Sequence, residues 1–249
     1  FVKLSYMKMK FLCLVTTFTT LTGMFVTPGR ANAALLEYFA EYKPPVDEVA
    51  PYDGYGFTDI IKAPLNIQKF DSALGTLQSV KIDFLGNLKG DASFESRNTQ
   101  SSNVTVDLSG LLKLELPDNT SVFEVSPQQE YSYEVAKYDG KLDFDGTSGK
   151  TIAGLVATLS DTKTYTDSNE LNSFTGLDNL EFLFTAKAES TVSGSGNIAS
   201  YVTTYASSSV RITYEYEKRR RVPEPSALIG VGLVAAMGFL SKRRLTANS

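Results

Sequence analysis

The sequence predicts an all-β protein: one antiparallel β-sandwich, jelly-roll-like, with a short apolar helix near each end of the chain. Three observations predict it. Apolar and polar residues alternate with period two over several long runs, as in strands buried on one face only. Turn-forming pairs such as Asp139-Gly140, Asp145-Gly146 and Ser148-Gly149 separate those runs. A stretch that is both apolar and uncharged lies towards each terminus.

The first of these stretches is residues 11–26, preceded by Lys8 and Lys10. Pro28 and Gly29 then break a helix, and Ala31-Asn32-Ala33 puts small residues at the −3 and −1 positions of a signal-peptidase site. A buried first helix would need neither the breaker nor the small residues. The order predicts a signal peptide over 1–33, cut after Ala33. The chain opens on Phe1, so Met7 or Met9 is expected as the start of translation. Residues 34–55 follow as an N-terminal segment that is polar and Pro-containing around Lys43-Pro44-Pro45, with 35–40 as a first strand or a linker.

The sandwich domain is expected over 56–217. Val80, Ile82 and Phe84 alternate with Lys81 and Asp83, and Val104, Val106 and Leu108 with Thr105 and Asp107. Leu112, Leu114 and Leu116 alternate with Lys113 and Glu115, and Pro117-Asp118-Asn119-Thr120 then forms a turn. Val210, Ile212, Tyr214 and Tyr216 repeat the pattern near the end. Gly194-Ser195-Gly196-Asn197 reads as a further loop, and 171–174 as a single helical turn. The predicted core comprises Ile82, Phe84, Val106, Leu114, Phe144, Leu155, Phe182, Phe184, Val202 and Ile212. No repeat of solenoid length is present.

Composition limits the chemistry. There is no histidine, and the single cysteine, Cys13, lies in the first apolar stretch. Cys-His nucleophiles, His-dependent serine triads and most zinc, haem or copper sites are thereby excluded, and no cofactor is expected. Residues 34–217 hold 27 acidic and 13 basic side chains, a net charge near −14 that repels nucleic acid. The best carboxylate cluster is Asp139, Asp143 and Asp145, a weak calcium candidate whose spacing is not that of an EF-hand. Carboxylates are too many for sequence alone to nominate a glycosidase pair, so the chain reads as a non-enzyme. Tyr131, Tyr133, Tyr138, Tyr201, Tyr205, Tyr214 and Tyr216 could include a sugar-stacking platform, with exopolysaccharide as the partner. Asn103-Val104-Thr105 and Asn119-Thr120-Ser121 match glycosylation sequons.

The second apolar stretch, 227–240, has 14 residues, fewer than the ~20 of an ordinary spanning helix. Val222-Pro223-Glu224-Pro225-Ser226 precedes it, and Lys242, Arg243 and Arg244 follow it as membrane-topology residues expected on the cytoplasmic side. This box, short helix and basic end over 218–249 resemble the PEP-CTERM sorting signal. The resemblance implies recognition by an exosortase, a transient hold in the membrane through 227–240, and delivery to the outer surface or extracellular matrix of a bacterium, commonly alongside exopolysaccharide. Lys218 to Arg221, just ahead of the motif, departs from a simple charge asymmetry.

The body carries a second resemblance. Phe70-Asp71-Ser72-Ala73-Leu74-Gly75-Thr76-Leu77 leads into an alternating strand. Tyr138-Asp139-Gly140-Lys141-Leu142-Asp143-Phe144-Asp145-Gly146 and Gly194-Ser195-Gly196-Asn197 come later. Together they are similar to the choice-of-anchor E domain of bacterial surface proteins, which implies an exported β-rich domain and carries no established activity onto residues of this chain. The function expected is that of a structural or adhesive surface protein, with a carbohydrate-binding module as the alternative.

Overall fold

A computed structural model of the protein describes residues 33–48 and 50–219. Its two antiparallel sheets face each other across one core. The first sheet runs β1 (Ala33–Glu41), β11 (Ile198–Lys218), β4 (Gly75–Ser96), β8 (Gly149–Tyr165), with the short β2 (Gly56–Phe57) added to β11. The second runs β10 (Thr191–Gly194), β5 (Ser102–Glu115), β9 (Asn179–Ala188), β3 (Ile60–Gln68). In that sheet β6 (Ser121–Val125) and β7 (Gln128–Val135) both pair with β5. An all-β sandwich is therefore the fold, as the alternation predicts.

The pairing follows one rule. β1 pairs with β11, β3 with β9, β4 with β8, and β5 with β6 and β7, always antiparallel. The chain is thus one long hairpin whose tip is the 116–120 turn, wound so that successive strand pairs alternate between the two sheets. At the tip the Leu116 N–H donates to Thr120 O (2.9 Å), and Asn119 takes a positive φ of 69°. Asn tolerates that conformation better than most residues do.

Two strands are interrupted at one level. β6 stops before β7 at Ser126-Pro127, and β9 stops before β10 at Glu189-Ser190. Both breaks flank the same point of β5. The Gly110 N–H donates to Pro127 O (3.3 Å), and the Ser109 N–H to Ser190 Oγ (3.1 Å). A β-carbon on Gly110 would lie 2.6 Å from Lys187 O, so only glycine fits where the neighbouring backbone comes this close.

The core is the alternating set. Ile82, Phe84, Val106, Leu114, Phe182, Phe184 and Ile212 are sealed from solvent, and Leu155 nearly so. Two expected core residues differ. Val202 is half-buried at the margin of the cluster. Phe144 is also only half-buried: with φ at 56°, it sits in a loop wound by Asp143, Asp145 and Gly146, and packs on Tyr201 rather than in the core. Residues 35–40, read as strand or linker, lie within strand β1. The expected helical turn is the last part of α1 (Ser168–Ser173), capped by the Asp167 side chain, which accepts from the Asn169 N–H (2.8 Å).

Candidate functional site

Two polar side chains are buried on the outer face of the first sheet, where two chain segments fold back over it. Even-numbered residues of β4 from 82 to 94 point into the core, so Lys89, Asp91, Ser93 and Glu95 point outward. Ser93 and Glu95 are nonetheless fully buried.

Residues 42–59 cover Lys89 and Asp91. Tyr52 and Tyr205 meet edge to face with ring centres 5.3 Å apart, and Phe57 packs on Tyr205 at 4.9 Å. The Lys89 ammonium lies 4.6 Å from the Tyr52 ring centre and 4.8 Å from that of Tyr55, a cation held between two π faces. Asp91 gathers three donors. The Tyr52 hydroxyl (2.5 Å) and the Gly154 N–H (3.0 Å) share Oδ1, and the Tyr205 hydroxyl reaches Oδ2 (3.4 Å). Gly154, at φ 74°, lies where the β4–β8 register shifts, and this bulge aims its N–H at the carboxylate. Burial and then the Asp91 hydrogen bond push the Tyr52 phenol up to about 12.

Residues 136–148 cover Ser93 and Glu95. Glu95 Oε2 accepts from the Phe144 N–H (3.0 Å), while Oε1 is buried without a partner. Ser93 Oγ and Thr151 Oγ1 are 3.0 Å apart, and Thr151 Oγ1 donates to Phe144 O (3.1 Å). Gly149 is required here, because a β-carbon would stand 2.2 Å from Glu95 Oε2.

The calcium candidates lie in this loop, all three exposed. Asp139 Oδ1 accepts from the Lys141 N–H (2.9 Å), and Asp143 Oδ1 from the Asp145 N–H (3.3 Å). These are local turn bonds. Among the described residues no three acidic side chains converge closely enough to hold an ion.

The seven tyrosines do not form a platform. Tyr205, Tyr214 and Tyr216 are buried, Tyr131, Tyr133 and Tyr138 half-buried, and Tyr201 alone of the set is exposed, at 55%. An open groove between 98–102 and Ser195-Gly196 is lined by amides, hydroxyls and backbone, with no ionisable side chain. Apart from Glu95 Oε1, the polar groups of the two covered patches are bonded within the protein or held against aromatic rings.

The sorting residues Val222, Pro223, Glu224, Pro225 and Ser226 lie outside the described residues, as do Ala31, the 227–240 stretch, Lys242, Arg243 and Arg244. Ala33 is described, and it pairs in register with Glu217. Among the described residues no helix is long and apolar enough to cross a membrane.

No family model and no curated protein matches the chain. Among solved structures, a chain of Desmodium yellow mottle tymovirus overlaps 88% of this chain and 100% of its own length, at 12% identity and a TM-score of 0.18. The VP2 subviral particle of infectious bursal disease virus overlaps 80% of this chain and 42% of its own, at 12% identity and a TM-score of 0.20. Overlaps this loose establish neither a common ancestry nor a common role.

Proposed function

We propose that this chain is an exported, non-enzymatic structural or adhesive protein of a bacterial surface or extracellular matrix. Signal peptidase removes 1–33, and an exosortase acts at Val222-Pro223-Glu224-Pro225-Ser226 while 227–240 holds the precursor in the membrane. The body is a jelly roll of the choice-of-anchor type. The jelly-roll reading is supported by strand order: with β1, β3, β4, β5, β7, β8, β9 and β11 numbered one to eight, the sheets run 1-8-3-6 and 2-7-4-5.

One observation carries the export reading. Ala33, the last residue of the expected leader, is the in-register partner of Glu217, which precedes the basic stretch and the motif. The two ends of the described domain therefore lie together at one pole, which suits a precursor held at one membrane face. Residues 219–222 can separate Lys218 from Pro223 by at most about 18 Å, so that pole stays close to the bilayer. A catalytic role draws no support from the covered outer face, and a carbohydrate module none from a single exposed tyrosine.

The test is fractionation of the native host expressing Pro223, Glu224 and Pro225 each changed to Ala. The expected result is unprocessed precursor retained in the membrane fraction. Unaltered size and location would overturn the sorting reading.

A further inference from the structure

The first sheet ends at β8, and β8 has one open edge. Among the described residues it pairs only with β4. The Tyr131 hydroxyl from the opposite sheet accepts from the Val156 N–H (3.0 Å) and donates to Val156 O (2.8 Å). Both backbone groups of Val156 therefore point away from β4. The register runs without a shift from Val156 to Tyr165, so the N–H and C=O of Thr158, Ser160, Thr162 and Thr164 point the same way. Strands β5, β6 and β7 of the opposite sheet approach β8, but among the described residues none of them pairs with its backbone as a strand. The Thr162 N–H is met by its neighbour, Asp161 Oδ1, at 2.7 Å.

An edge of this length is normally protected by proline, by a bulge or by charges pointing inward. Here residues 155–165 hold no proline, and their charges are Asp161 and Lys163. They stand opposite Phe84 and Ile82, hence on the core side of the sheet, but past the rim of the core and exposed. The pair is self-complementary. A two-fold axis through Thr162 would bring a second β8 alongside, antiparallel, with Asp161 opposite Lys163 of the other copy and Lys163 opposite its Asp161. The same register sets Leu159, 42% exposed, against Tyr165. These are the non-hydrogen-bonded pairs, in which side chains come closest, while residues 160, 162 and 164 exchange backbone bonds. An axis through residue 161 or 163 instead opposes two aspartates or two lysines. Charge thus selects one register.

We propose that the open edge of β8 is a homodimer interface, in which two copies join edge to edge about Thr162 to make one continuous sheet. This does not depend on the export reading. The test uses the full chain in mild detergent, in a Cys13→Ser background, with a cysteine placed at one edge position. Thr162→Cys should form a disulfide-linked dimer under mild oxidant, because a hydrogen-bonded antiparallel pair sets its α-carbons about 5.5 Å apart. Thr158→Cys, about 27 Å from its symmetry mate at ~3.4 Å per residue, should not. Adding Lys163→Asp to Thr162→Cys should reduce the cross-link yield at least tenfold, and adding Asp161→Lys to that variant should restore it. Equal cross-linking at 158 and 162, no cross-linking at 162, or indifference to the charge reversal would each overturn the proposal. Failure of the double reversal to restore the yield would do so too.

Discussion

The two segments that cover the outer face of the first sheet do the same job with different chemistry. Residues 42–59 lay aromatic rings over a lysine held by two cation–π contacts and an aspartate with both oxygens hydrogen-bonded. Residues 136–148 close over a glutamate with one oxygen bonded and the other buried bare. The first cover buries apolar area and satisfies its polar groups, so removing one contact leaves others in place. The second depends on one carboxylate oxygen. A buried polar group is costly once it loses its partner, so the second cover should be the more sensitive to a single change.

The largest expected effect follows from that difference. Glu95→Ala strands the Phe144 N–H in the interior and should lower unfolding free energy by roughly 2–3 kcal/mol in urea denaturation. Glu95→Gln keeps an acceptor for that N–H, so most of the stability should be retained. A loss as large as that of the alanine variant would show that the bond to Phe144 is not what Glu95 contributes.

Asp91→Ala is expected to cost less, about 1–2 kcal/mol, because half-buried Tyr52 can turn its hydroxyl to water. Equal losses at Asp91 and Glu95 would erase the contrast. Gly154→Ala tests the bulge that feeds Asp91. Its positive φ should make alanine unfavourable by about 1 kcal/mol, and the same melting temperature as the parent would place the strain elsewhere.

The smallest effect is a pH dependence that the first cover should feel before the second, although burial also raises the Tyr38, Tyr133 and Tyr214 phenols elsewhere. Burial and then Glu48 push the Tyr42 phenol up to about 12, and burial and then Asp91 do the same for Tyr52. A phenol raised in the folded state favours folding fully below its ordinary value near 10. That contribution is lost as pH climbs from about 10 to about 12, because the unfolded chain ionises first. Limited proteolysis across this window should open 42–59 before 136–148, and Tyr42→Phe with Tyr52→Phe should flatten the trend. Simultaneous opening of both segments would argue against separate covers.

The sandwich was legible because period two is written along each strand. Ile82, Phe84, Val106 and Leu114 needed only parity to be assigned inward, and parity also sets Tyr214 beside Ile212 in the core. The covers were not legible for the same reason. Asp91, Ser93 and Glu95 fall on the polar phase, which reads as solvent, and their burial comes from segments some 40 residues away along the chain. Hydrophobicity alone put Phe144 in the core. The turn residues around it, Asp143, Asp145 and Gly146, carried the contrary signal and describe its backbone better. Asp139 and Asp143 were visible as a cluster, but a turn-capping carboxylate and a metal-binding one look alike until their partners are seen. Pairing of Ala33 with Glu217 joins residues from the two ends of the domain, which no local pattern specifies.

That last pairing also sets how the domain answers a pull. Force applied between Ala33 and Lys218 acts at one end of the antiparallel β1–β11 ladder and across its hydrogen bonds. The bonds then load one pair at a time, and β1 peels away like a zipper at low force. A pull on Lys218 alone, with the first strand free, puts no load across the ladder. If the chain is held at both ends and then cut after Ala33, as the proposed function has it, a mechanically weak two-point suspension becomes a single tether.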